Sequence, residues 1–299
     1  MRVSVYLPLL ASLLLAAVAR PLGRRLSPRT AAPALVVAAA LTAAASTWAL
    51  DLLAATLLRG SPPVMERAGV RALAVGVPVP DAIALGAVLA LGVGAYRLVE
   101  AWYRRRATLQ ALRGVCTDAG AELVVIAAAA PHAVAVPGRA WERGHILVTS
   151  GMLAALDDRE RAVMLAHERA HLLRGHHWQQ VVVDAAAAAN PLLRPVRATV
   201  AYLLERDADE AAAERVGSRD LAAQSLARAA LAASHPQAGR LAFEQLAVTA
   251  RVLALKQART PRRRLVAAAV VLLGFATTLA ASDATLAFSR LVEQLLPGV

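Results

Sequence analysis

The sequence predicts a mainly α integral membrane protein, with about four transmembrane helices and a cytoplasmic, α-rich domain that carries a small β-hairpin. Three observations lead there. Of 299 residues 58% are hydrophobic but only 4% aromatic, so the apolar content is Ala, Leu and Val, which suit lipid-facing helices better than a β-rich core. Four stretches, about 3–19, 32–58, 79–99 and 265–288, approach the roughly 20 apolar residues that a helix needs to cross hydrocarbon. The arginines gather beside those runs, at Arg20 to Arg29, Arg104 to Arg106 and Arg262 to Arg264.

The mean hydropathy of +0.51 is high for a soluble chain of this length. The formal charge of +12 does not point to nucleic acid, because the arginines are not interleaved with aromatics in one domain. Their placement suits lipid headgroups and topology signals, so the lipid bilayer is an expected partner. A single cysteine, Cys116, excludes an internal disulfide framework and reads as an ordinary small apolar residue.

The clearest spans are the second and fourth. The third contains Gly86, Gly92 and Gly94, which are common where membrane helices pack closely. The first also has the pattern of a cleavable signal peptide, with Arg2 before an apolar run that ends in Ala17, Val18 and Ala19. Cleavage there would send Arg20, Arg24, Arg25 and Arg29 across the membrane, against the positive-inside rule, so an uncleaved helix is favoured. The N-terminus is then outside, the 59–78 loop outside, the Arg104 to Arg106 run inside, and a short tail, Val292 to Val299, outside. The domains follow: a membrane domain over 1–101 with three spans, a cytoplasmic domain over 102–264, and a last span with its tail over 265–299. Multi-pass placement in the cell membrane is the expected localisation.

Chemistry is expected in 102–264, the most polar stretch. Residues 160–177 read ERAVMLAHERAHLLRGHH, a good helix former with Gly175 as a stop. On a helix, His167 and His171 share one face and can reach one ion at about 2.0–2.1 Å. Glu168 stands one residue round, where it can miss the metal yet reach the attacking water as a general base. The competing reading is a surface helix with solvated histidines. Against it, Val163, Met164, Leu165 and Ala166 are apolar, so the helix is expected to be buried, and a third ligand follows downstream.

That ligand is expected in the helical stretch Tyr202 to Glu214. Glu205 and Asp209 share a face, so Glu205 can ligate the metal while Asp209 accepts a hydrogen bond from a ligand histidine. Asp207 and Glu210 point elsewhere and are expected to be solvated. Two histidines and a carboxylate leave one position open, the mark of a catalytic zinc site with one Zn2+ per chain, and no cysteines are present to build a closed one. Hydrolysis of a peptide bond in a protein or peptide substrate is the reaction this set fits. His176 and His177 are expected to cap the helix end or to be solvated. Ala133 to Val136 and Ile146 to Thr149 alternate around Pro137 and Gly138 and predict a β-hairpin whose edge can take an extended substrate by strand addition. The apolar patch 181–204, broken by Pro191 and Pro195, predicts a helical hairpin that dips into the membrane or lies on it.

These residues resemble membrane-embedded zinc peptidases of the gluzincin type, in particular the BlaR/MecR-like family, with the HtpX-like family as kin. The resemblance rests on Ala166 to His171, on Ile146 to Leu153 and on Leu204 to Glu210. It implies a zincin-like domain between a third and a fourth membrane helix, zinc on His167, His171 and Glu205, the base at Glu168, and Asp209 behind a ligand. Antibiotic-sensing members continue into a penicillin-binding domain, which residues up to Val299 do not show, so no β-lactam sensing is implied. Two other classes fit parts of the sequence. A zinc-binding membrane sensor without turnover would not need Glu168, and a channel or transporter would carry charges within its spans, which only Asp51 and Arg97 approach. Oligomeric state has no signal in the sequence.

Overall fold

The computed structural model describes residues 5–57, 80–116, 121–139, 142, 144–233, 241–258 and 264–295. The expected outer loop at 59–78, Pro261 to Arg263 and the last residues of the tail lie outside them. The described chain is mostly helical. Helices α1 (Leu7–Arg25), α2 (Pro28–Ala55), α3 (Asp81–Val115) and α10 (Arg264–Leu295) correspond to the four expected spans. All four are long and apolar enough to cross a membrane by length and composition. Each overruns its expected borders at one end or both, α10 running on to Leu295 into the expected tail. Helix α1 continues through Pro21 to Arg25 and meets α2 after only Leu26 and Ser27, so the arginines stand on helix ends rather than in a loop. Helix α3 passes unbroken through the domain boundary expected at 101/102 and ends at Val115.

The middle of the chain opens with a three-stranded sheet. Strands β2 (Ala133–Val136) and β3 (His145–Thr149) pair antiparallel, as the hairpin expectation had it. A further strand, β1 (Leu123–Ile126), pairs parallel with β3, so β3 is central and β2 is an edge. The alternation rule finds hairpins because their partners are adjacent in sequence. Strand β1 escapes that rule because its partner is the far strand of the hairpin, not the adjacent one, and its run Leu-Val-Val-Ile does not alternate.

Helix α4 (Ser150–Ala155) follows β3 directly, and α5 (Asp158–Leu173) carries the histidine motif. Its start is fixed by a capping box: Asp157 accepts from the Glu160 N–H while the Glu160 carboxylate accepts from the Asp157 N–H, both at 2.9 Å. Glu160 is buried and also paired with Arg228 at 3.0 Å on α8 (Arg219–Ala233). Gly175 ends the motif helix in the left-handed region, at φ 59°, a conformation that glycine adopts without a Cβ penalty.

The apolar patch after the motif is a helical hairpin: α6 (His176–Ala189), a 3₁₀ turn (Pro191–Leu193) and α7 (Arg194–Val216). Pro191 and Pro195 sit at helix starts, where a missing N–H costs nothing. Val183, Leu193, Val196, Val200 and Leu203 are fully buried against Leu15, Ala31 and Leu35 of α1 and α2. At the tip, the buried Asn190 side chain donates to Ser12 Oγ at 2.8 Å and to Ser46 Oγ at 3.1 Å. Further along, Gly23 lets α7 approach so closely that a Cβ there would lie 3.0 Å from Thr199 and 3.6 Å from Leu203. Helices α1 and α7 therefore run side by side in the same direction. The far end of α7 packs with α5, α8 and α9 (Leu241–Lys256) around Val163, Ala212, Ala222 and Leu255.

Candidate metal centre

Helices α5 and α7 present the expected residues to one another. His167 Nε2 lies 3.1 Å from His171 Nε2 and 3.6 Å from Glu205 Oε2, and His171 Nε2 lies 3.5 Å from Glu205 Oε1. Among the described residues these three form the group able to hold a metal ion. The spacing can be tested against zinc. In a tetrahedron the edge is about 1.6 times the bond, so ligands at about 2.0–2.1 Å stand about 3.3–3.4 Å apart. The His167–His171 separation and the distance from each imidazole to one Glu205 oxygen, Oε2 for His167 and Oε1 for His171, bracket that edge, and two nitrogens with a carboxylate are a donor set that zinc accepts, so the residues fit the ion.

The other ring nitrogen of His167 faces α7 as well. Nδ1 lies 3.0 Å from Asp209 Oδ1, and Asp209 is buried. Arg251 on α9 was not anticipated. It spans both acids, donating to Asp209 at 2.8 and 2.7 Å and lying 3.0 Å from Glu205. A lone arginine inside the apolar run Leu246 to Leu255 was the available signal, because a charge in such a run needs a buried partner.

Two expectations about the neighbouring polar residues are overturned. Asp207 and Glu210 are not solvated. Asp207 is 6% exposed and bound to Arg174 at 2.8 Å and to His176 at 3.1 Å, and Glu210 is paired with Arg219. His176 neither caps the motif helix nor meets solvent: it is 3% exposed, with Nδ1 3.1 Å from His171 Nδ1. The reason lies in Gly175. Its left-handed turn ends α5 at once, so His176 opens the next helix and points back beneath the ligands.

Charge follows from this packing. Burial works against an imidazolium at His167, but Asp209 and Glu205 outweigh it and raise its pKa to about 10. His171 goes the other way, to about 4, through burial and the neighbouring charge of His167. For Glu205 burial is outweighed by His167, Arg251 and His171, which hold the carboxyl well below its ordinary range. Glu168 is raised, chiefly by burial, although it accepts a hydrogen bond from the Ala135 N–H of β2.

A cavity of about 650 Å³ opens over these groups. Ala133, Val134 and Ala135 of β2 form one wall, His167, Glu168 and His171 the floor, and Tyr202, Glu205 and Arg251 the opposite side.

Residues 106–193 match the family model for peptidase family M48. The matched stretch holds β1 to β3, His167, Glu168 and His171, and it ends before Glu205. The match supports a metallopeptidase. No curated protein and no solved structure matches the chain.

Proposed function

We propose that the chain is a membrane-embedded zinc endopeptidase of the BlaR/MecR-like type, cleaving cytoplasmic or membrane protein substrates at the inner face of the cell membrane. The observation that carries the reading is the grouping of His167, His171 and Glu205, with the two ring nitrogens 3.1 Å apart and each within 3.6 Å of a Glu205 oxygen. Zinc bound there would lower the pKa of a water toward about 7 and polarise the scissile carbonyl.

The chain's own residues supply the rest. Glu168 borders the same cavity, and its raised pKa suits a base that takes the proton of the attacking water and returns it to the leaving amine. Because the Ala135 N–H turns to Glu168, Ala133, two residues back on the same edge strand, presents its backbone to the cavity as well. An extended substrate can add to this edge and lie across the floor.

The height of the site relative to the helices supports a substrate close to the membrane. Taking α1 as a span, Arg20 marks its inner end, and Ser12 lies about 12 Å deeper at 1.5 Å per residue. Asn190 at the hairpin tip bonds Ser12, whereas Leu203 lies beside Gly23 at the arginine level. Glu205 is two residues further along α7, so the ligands stand at the boundary. The positive-inside rule supports a cytoplasmic side for this face, with the N-terminus outside.

The test is cleavage of a casein-like or membrane-protein substrate by the purified, zinc-loaded chain. Glu168→Gln is expected to keep zinc and lose at least about 10²-fold in rate; Glu205→Ala is expected to lose zinc. Equal turnover by wild type and Glu168→Gln would remove the mechanism, and full zinc occupancy in Glu205→Ala would remove the third ligand.

A further inference from the structure

The two histidines of the centre are supported differently. His167 gives its Nδ1 proton straight to Asp209. Among the described residues no carboxylate is paired with His171 at Nδ1. Its Nδ1 faces His176 Nδ1 at 3.1 Å, and His176 Nε2 faces Asp207 Oδ2 at 3.1 Å. Asp207 is anchored at its other oxygen, where Arg174 donates to Oδ1 at 2.8 Å. Both His176 and Asp207 are nearly excluded from water, at 3% and 6% exposure.

The direction of this chain is decided at its far end. A carboxylate only accepts, so a neutral His176 places its single proton on Nε2, toward Asp207. Its Nδ1 is then a lone pair. Two ring nitrogens at 3.1 Å need one proton between them, and that proton must come from His171 Nδ1. His171 is thereby left with a bare Nε2, the atom that faces His167 Nε2 and Glu205.

From this geometry we infer that His176 is a positioning residue: with Asp207 it sets the tautomer and plane of His171 so that the Nε2 lone pair is turned to the metal. The inference rests on the metal-centre reading. It gives α7 three tasks, since Glu205 faces the ion, Asp209 orients one imidazole directly, and Asp207 orients the other through His176. Asp207 sits two residues from both of its fellows, so its side chain leaves the helix on another side. It cannot touch a ring on the ligand face, and an intermediary that accepts on one side and donates on the other closes the gap.

The test compares zinc affinity, by chelator competition, for the full chain in detergent as wild type, His176→Gln and His176→Phe. A glutamine side chain offers an acceptor oxygen and a donor NH2, so it can bridge His171 and Asp207 as the imidazole does. A phenyl ring fills the volume and does neither. His176→Phe is expected to bind zinc about 10–100-fold more weakly, and His176→Gln to stay within about threefold of wild type. A role in packing alone predicts the reverse order. Tight binding by His176→Phe, or binding by His176→Gln as weak as by His176→Phe, overturns the inference.

Should His176→Phe fail to fold, histidine-selective ¹⁵N spectra of the zinc-loaded wild type decide the matter. The expected pattern is a protonated Nε2 with a bare Nδ1 on His176, and a protonated Nδ1 on His171; a proton on His176 Nδ1 overturns it. A wild-type chain that holds no zinc would defeat the metal-centre reading instead, which keeps the two failures apart.

Discussion

A single proton sits at the heart of the site. In the metal-free chain His167 is charged up to about pH 10, held so by Asp209 and Glu205 against the cost of burial. Its Nδ1 proton belongs to the bond with Asp209, so the proton that a metal must displace is the one on Nε2. His171, at about 4, and Glu205, below its ordinary range, have nothing to release near neutrality. Zinc uptake at pH 7 should therefore expel about one proton, and affinity should rise about tenfold per pH unit until it levels off near pH 10. Calorimetry in two buffers of different ionisation enthalpy measures that number. A release near zero would mean that His167 is neutral before zinc arrives. Residue by residue, the sequence revealed what direct contact explains. His167, His171, Glu205 and Asp209 follow from helical spacing, since i and i+4 share a face. His176 and Arg251 do not, because one depends on a glycine turn and the other on how α9 packs against α7.

Among the elements, the junction between the sheet and α4 is packed without room for a side chain at Gly151. Gly151 opens α4 under the chain that leaves β1, where an added Cβ would collide with Ala129 O. A backbone oxygen cannot swing aside as a side-chain end can. Gly151→Ala should lower thermal stability by about 1–3 kcal/mol, as overpacking does. Gly92→Ala, with nothing within 4 Å of the added methyl, should change little. Equal melting temperatures for wild type and Gly151→Ala would show that the junction yields. The apolar helices α1, α2, α3 and α10 were legible because long apolar runs leave few alternatives. Strand β1 was not, since a parallel pairing reports on residues far along the chain. The ends of α1 and α3 also escaped, because helix continues through arginines that composition alone assigns to a loop.

The whole molecule is joined at two levels, one polar and one apolar. At the tip of the α6–α7 hairpin, Asn190 binds Ser12 and Ser46 and also accepts from the Leu192 N–H. Both serines keep bonds within their own helices, to Pro8 O and Thr42 O, so removing Asn190 leaves them satisfied. Asn190→Ala should therefore cost only about 1–2 kcal/mol. Its zinc content should be unchanged, because α7 runs about 16 Å from Arg194 to Glu205. Thermal melting with metal analysis reads both. Lost zinc in this variant would mean that the tip and the ligands share one fate.

Helix α7 also ties the candidate metal centre to a particular rotation of one rod. Glu205, Asp207 and Asp209 all project from it, so a twist by one residue, about 100°, would withdraw the carboxylate that faces the ion and both acids that stand behind the two histidines. Partial assembly is then not an option: the centre is whole or absent. On the proposed reading an ion held there would act as a bolt on the rotation of α7, and through Leu203 and Thr199 that bolt would reach Gly23 at the arginine-bearing end of α1.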